Sequence, residues 1–152
     1  MNTRPKAIAL TLAFLACCGA MAFVSCSDPN DISTVNVTLR EFSVTVDQRT
    51  VPEGQVTFHV TNAGTVPHEF LVIQTELAAD ALPTLSDGSF NEDASGVDVL
   101  NEIEDIPPGQ SRDLTIDMDD ARYALICNMV HREGGTVSAH YSLGMRTSFQ
   151  VN

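Results

Sequence analysis

The sequence predicts an all-β protein, a Greek-key β-sandwich of about seven or eight strands. Three observations carry that prediction. Short runs rich in Val, Ile, Thr and Phe alternate apolar and polar residues, turn-forming Gly, Pro, Asn and Asp separate them, and no long stretch repeats its apolar residues at helical spacing. Strands of that length and number bury their apolar faces most readily as two packed sheets.

The chain has 152 residues, and its beginning does not read as part of the sandwich. Arg4 and Lys6 precede an apolar stretch from Ala7 to Val24, the plan of an export signal and at the short end for a membrane-spanning helix. "VSC" before Ser27 resembles a bacterial lipobox, with Phe23 where Leu is usual; it would make Cys26 the lipidated N-terminus. Cleavage after "AMA", leaving Phe23 first, and an uncleaved anchor are the alternatives. Residues 1–26 are therefore expected to be a lipoprotein-type signal peptide and 27–34 a polar tether. Residues 35–152 form one domain, long enough to fold without a disulfide. The expected location is the cell envelope, outside the cytoplasm and attached to the membrane through lipid on Cys26.

The strands follow in order. "STVNVTLREFSVTV" puts Val35, Val37 and Leu39 on one face, then Phe42, Val44 and Val46 after a one-residue change of phase. "VPEG" is a turn, and "QVTFHVTN" sends Val56, Phe58 and Val60 inward and His59 outward. "AGTVP" is a loop before the strand "HEFLVIQT". "LAADAL", closed by Pro83, reads as a short helix, and "PTLSDGSFNEDASG" as a solvated surface loop whose Asp87, Asn91 and Asp93 lack the spacing of a calcium loop. "VDVLNEIEDI", "RDLTIDM", "ARYALIC" and "RTSFQVN" supply the remaining strands, with "PPGQ" as a turn.

Charge narrows the function classes. Beyond residue 26 the chain carries six basic and twenty acidic residues, a formal charge of −14. Nucleic acid and anionic lipid surfaces are disfavoured as partners, and a protein with a basic surface is favoured. Of the four cysteines, Cys17 and Cys18 lie in the leader and Cys26 at its end, which leaves Cys127 alone in the domain. A lone thiol in an oxidising compartment is exposed to oxidation unless something occupies it.

What could occupy it lies close by in the chain. Cys127 ends a strand, His140 and Met145 precede the last strand, and His68 opens a strand after a loop. In a Greek-key sandwich such loops gather at one end. One thiolate, two imidazoles and a thioether make up the donor set of a mononuclear electron-transfer copper site. His131, four positions after Cys127, competes with His140; the fixed interval within "HYSLGM" favours His140. Met118 and Met129 read as packing residues, and Tyr123 and Phe149 as core.

The stretches "YALICN…HYSLGMRTSFQV" and "VPEGQVTFHVTNAGTVPHEF" resemble the cupredoxins, the blue copper proteins related to plastocyanin, over Val35 to Val151. The resemblance implies a cupredoxin-like sandwich holding one type 1 copper ion, with His68, Cys127 and His140 as ligands and Met145 as the axial ligand. It implies an electron-transfer role, and the expected protein is a monomer that carries single electrons between envelope redox proteins; with no sign of a second copper cluster, an enzyme is not expected. A copper-delivery protein without redox turnover and a metal-free binding module are the alternatives. Two features depart from the family pattern. Twelve residues separate Cys127 from His140, where about two to four are common, and Glu69 follows His68 where Asn or Asp is common. The first is accounted for if "NMV" and "TVS" form a hairpin from Met129 to Ser138 around "HREGG", since an excursion that returns near its start costs little closure entropy. The resemblance also implies an apolar patch of Val66, Pro67 and Leu143 around an exposed edge of His140.

Overall fold

The computed structural model describes residues 32–152. The leader, Cys26 and residues 27–31 of the expected tether lie outside the described residues. The first strand, β1, spans Ser33–Arg40, so it starts two residues before the expected domain boundary at Val35. The others are β2 (Ser43–Val46), β3 (Thr50–Val51), β4 (Gly54–Asn62), β5 (His68–Gln74), β6 (Asp98–Ile106), β7 (Ser111–Met118), β8 (Ala121–Ile126), β9 (Val130–Glu133), β10 (Thr136–Ala139) and β11 (Arg146–Val151). A one-turn helix, α1, spans His140–Leu143.

Two sheets make the expected sandwich. One has the order β2-β1-β4-β7 and the other β3-β11-β8-β5-β6, while β9 and β10 form a separate hairpin. Pairing is mixed: β1 runs parallel to β4 and β3 parallel to β11, and the remaining pairs are antiparallel. The count exceeds seven or eight because the hairpin adds two strands and β3 is only two residues long.

The core between the sheets is built by alternation. Val35, Val37 and Leu39 of β1 and Val56, Phe58 and Val60 of β4 are all buried. They meet Phe70, Val72, Leu125 and Phe149 from the opposite sheet. The Phe58 ring lies 5.4 Å from that of Phe70 and 5.5 Å from that of Phe149. Each such side chain contributes roughly 1.5–3 kcal/mol by leaving water. β5 lacks alternation because both of its faces are covered. Leu71 and Ile73 point away from the sandwich core and pack with Ala79, Leu82, Phe90, Ala124, Ile126 and Tyr141.

That second cluster corrects two expectations. Residues 77–82 form bends and a turn instead of a helix. Six residues are too few to nucleate one unaided, and the Tyr141 hydroxyl holds the segment in its own shape by donating to Ala79 O (2.9 Å) and accepting from Leu82 N–H (3.0 Å). The loop that follows is not wholly solvated, because Phe90 is buried against β5. The Asn128 side chain fixes Phe90 by accepting from its N–H at 2.6 Å and donating to its carbonyl at 3.1 Å. The change of phase in the first strand is a turn at Glu41 and Phe42. It leaves Phe42 39% exposed and outside the core, while Val44 goes in as expected.

Candidate metal centre

Strand order brings the candidate ligands together. In the larger sheet β11, β8 and β5 are neighbours, with β8 antiparallel to both. The end of β8 therefore lies beside the beginnings of β5 and β11. Cys127 follows β8, His68 opens β5, and His140 and Met145 lie on the short segment that leads into β11. Register slips at Glu69, between His68 and Phe70, the kind of bulge that re-aims side chains at the end of a sheet. His68 and Phe70 are both fully buried.

The backbone closes this corner. Cys127 N–H donates to Met145 O at 3.0 Å, Met145 N–H to His140 O at 3.0 Å, and His140 N–H to Met129 O at 2.9 Å. The last bond closes the neck of the β9–β10 hairpin, so the residues between Cys127 and His140 form an excursion, as expected. Gly144 ends α1 at φ 123°, and a side chain there would meet Phe42 O at 3.0 Å. On the other side, the buried Asn62 side chain organises the loop before His68. It donates to Val66 O and Ile106 O, both at 2.8 Å, and accepts from Gly64 N–H at 2.9 Å.

The donors form a compact triangle. His68 Nδ1 and His140 Nδ1 are 3.2 Å apart, and Cys127 Sγ lies 3.8 Å from the first and 3.3 Å from the second. All three side chains are fully buried. A point equidistant from the three atoms lies about 2.0 Å from each, in the range of metal–imidazole bonds and slightly short of metal–thiolate bonds. Met145 is fully buried in the same core cluster as Cys127.

The electrostatics of the three donors follow from their burial. Burial pushes the Cys127 thiol up to about 12, although Glu69 N–H donates to Sγ at 3.4 Å. Burial pushes His140 down to about 4, helped by His68 and His131, and burial likewise lowers His68. Neutral imidazoles keep their lone pairs for a metal, and a divalent ion would reverse the preference of the thiol by deprotonating it. The substitution at Glu69 does not disturb the bond to sulfur, because the donor is its backbone.

His131 stands outside the triangle. Its ring centre lies 4.8 Å from that of His140, and its Nε2 is buried without a hydrogen-bond partner. Among the described residues the group able to hold a metal is His68, Cys127 and His140. His59 points outward as expected and meets Asp113 at 2.6 Å. The edge of His140 is not exposed. The hairpin brings His131 over it, and the Phe42 ring approaches edge-on at 5.2 Å. A cleft of about 430 Å³ remains between these groups, with Glu41, Val66 and Arg132 among its walls. Of the expected apolar patch, Val66 lines this cleft and Leu143 is 48% exposed.

Two residues of the site went unforeseen. Glu41 and Phe42 are far from every ligand in sequence, and their one signal was the break in alternation between β1 and β2. Glu41 Oε1 lies 3.4 Å from His68 Nε2. Hydrogen bonds from Thr65 and Val66 backbone N–H groups hold that carboxyl down at about 2.

Comparison with known proteins places this arrangement. Residues 8–138 match the family described as cupredoxin-like domain; His140 and Met145 lie just past the match. Among solved structures, the reduced auracyanin of the photosynthetic bacterium Roseiflexus castenholzii is similar with a TM-score of 0.53 and 20% identity, over 79% of this chain and 97% of that one. Auracyanin A of Chloroflexus aurantiacus, a "blue" copper protein, is similar with a TM-score of 0.50 and 19% identity, over 80% and 100%. Auracyanin B is similar with a TM-score of 0.51 and 18% identity, over 83% and 91%. These likenesses establish the fold. No curated protein sequence matches the chain.

Proposed function

The chain belongs to the cupredoxin-like domain family, and on that premise we propose that it is an exported electron carrier with one type 1 copper ion. His68, Cys127 and His140 would hold it, and Met145, buried in the same core cluster as Cys127, would supply a fourth, weaker donor. The observation that carries the proposal is the buried triangle of one thiol and two inward-facing Nδ1 atoms. A bound copper ion would supply a one-electron couple, and the mixed thiolate and imidazole set suits both oxidation states.

The chain's own groups do the rest. Cys127 gives up its proton on binding and accepts the Glu69 N–H, which stabilises the thiolate. β5, β8 and the segment before β11 fix three donors through backbone bonds, so a change of oxidation state meets a rigid frame. Full burial favours a carrier over a delivery protein, because handing a metal to another protein requires a ligand that the recipient can reach. An electron needs only proximity. A carrier, not an enzyme, also fits donors that no substrate can touch.

The same reading extends to location and partner. Lipid on Cys26 would hold the domain to the outer face of a membrane, with the polar tether spacing it from the surface. The acidic monomer would meet a basic redox protein, and encounter rates would fall as salt shortens the Debye length.

The test is the absorption and EPR spectrum of the copper-loaded domain, with its reversible potential. An intense thiolate-to-copper band that Cys127→Ser abolishes is expected. A Ser variant that keeps the band would overturn the site, and copper bound without reversible reduction would favour delivery.

A further inference from the structure

The outer nitrogens of the two ligand histidines face different groups, and the one facing His68 is unusually well built. Glu41 lies in the turn between β1 and β2 and reaches across to the loop before β5. Its Oε1 accepts from Thr65 N–H at 2.7 Å and Val66 N–H at 2.9 Å, and the same atom lies 3.4 Å from His68 Nε2. Gly64 makes the approach feasible: a Cβ there would stand 2.5 Å from Oε1 and 2.8 Å from Oε2. His68 Nε2 is buried and, in this arrangement, hydrogen-bonds to nothing. A negatively charged oxygen is thus fixed by two backbone donors opposite a buried imidazole nitrogen that needs a partner.

We propose that Glu41 is a positioning residue for the metal: its carboxylate keeps the His68 proton on Nε2, leaves the Nδ1 lone pair facing Cys127, and favours the oxidised ion. The inference rests on the copper reading given above. The first part follows from electrostatics at 3.4 Å, since a carboxylate attracts an N–H dipole and repels a lone pair. A carboxylate behind a metal-bound imidazole orients the ring and raises its basicity. The second part follows from charge. The oxidised site carries one more positive charge than the reduced one, so a nearby anion stabilises it more. The attraction does not depend on a linear hydrogen bond. It is moderated by solvent, because the Glu41 side chain is 27% exposed.

The alternative role is purely structural, a clamp on residues 64–66. Glu41→Gln separates the two, because the amide retains an oxygen for Thr65 and Val66 but carries no charge. In the copper-loaded protein, Glu41→Gln should shift the ratio of Cu(II) to Cu(I) affinity about tenfold toward Cu(I). For a one-electron couple that is a rise in potential of about 59 mV. The charge-transfer band should persist. An unchanged potential would overturn the proposal and leave Glu41 a clamp.

A second measurement avoids copper altogether. Nitrogen-15 NMR of the metal-free wild type should show the His68 proton on Nε2, and Glu41→Ala should mix the two tautomers. A wild-type proton on Nδ1 would overturn the proposal. A wild type that takes up no copper would overturn the functional reading instead, and the tautomer would still decide the part played by Glu41.

Discussion

His68 and His140 present the same Nδ1 to the same sulfur yet live in different surroundings. His68 opens β5 after a loop pinned by Asn62, and behind it stands the carboxylate of Glu41. His140 opens a one-turn helix after an inserted hairpin, and behind it stand two rings, Phe42 and His131. One side is charged and lies at the start of a sheet strand. The other is aromatic and hangs on a segment that belongs to neither sheet. If copper binds here as proposed, the two sides divide the work: Glu41 would tune the metal from the His68 side, and the His140 side would face an approaching partner.

The sharpest way to break this comparison is to remove each ring on the outer side. His140→Ala should weaken copper binding by about 100-fold, because it deletes a ligand, whereas His131→Ala should weaken it less than about tenfold. Metal titration followed by the charge-transfer band measures both. Equal losses would make His131 a ligand and the triangle incomplete.

Next in size is the hairpin. Deleting Val130 to Val137 leaves four residues between Cys127 and His140 and should preserve a blue site while slowing electron exchange with the native partner several-fold. Stopped-flow rates across a salt series test this. Faster exchange would mean that the hairpin shields His140 from its partner instead of guiding it.

Met145 belongs to neither side. Met145→Leu should retain copper and raise the potential, as the weak-donor role proposed for Met145 requires; voltammetry reads the shift, and loss of copper would contradict that role.

The smallest effect concerns protons in the metal-free domain. His140 is held down near 4 from an ordinary 6.5. It therefore contributes stability that is present above pH 6.5 and lost as pH falls toward 4. Glu69, beside His68, is raised by burial from 4.5 to about 7. It contributes stability that is present below pH 4.5 and lost as pH rises through 7. The slopes oppose each other between 4.5 and 6.5. Glu69→Gln removes one, so acidification across that window should destabilise the variant by about 1 kcal/mol more than the wild type. Thermal melts at several pH values give the difference, and parallel profiles would show that Glu69 does not offset His140.

The sequence disclosed the three donors better than the groups that stand behind them. His68 opens a strand, and Cys127 and His140 directly follow one, and strand ends are visible through alternation and punctuation. The hairpin was legible too, because Gly134 and Gly135 mark its turn between short apolar runs. Glu41 and Phe42 were not, since nothing local relates a turn after β1 to a loop before β5. The segment 77–82 misled for a related reason. Its Ala and Leu content favours a helix, but the Tyr141 hydroxyl, some sixty residues away, takes the backbone groups a helix would have used.

The burial of all three donors also sets a timescale. Copper cannot enter or leave this triangle without some part of the corner opening, and the neck bond from His140 N–H to Met129 O is one of its closures. Residence of a bound ion would then depend on how often this corner opens. A carrier of this kind would be loaded slowly, perform many cycles of work, and retain its metal through encounters that would strip a more open site.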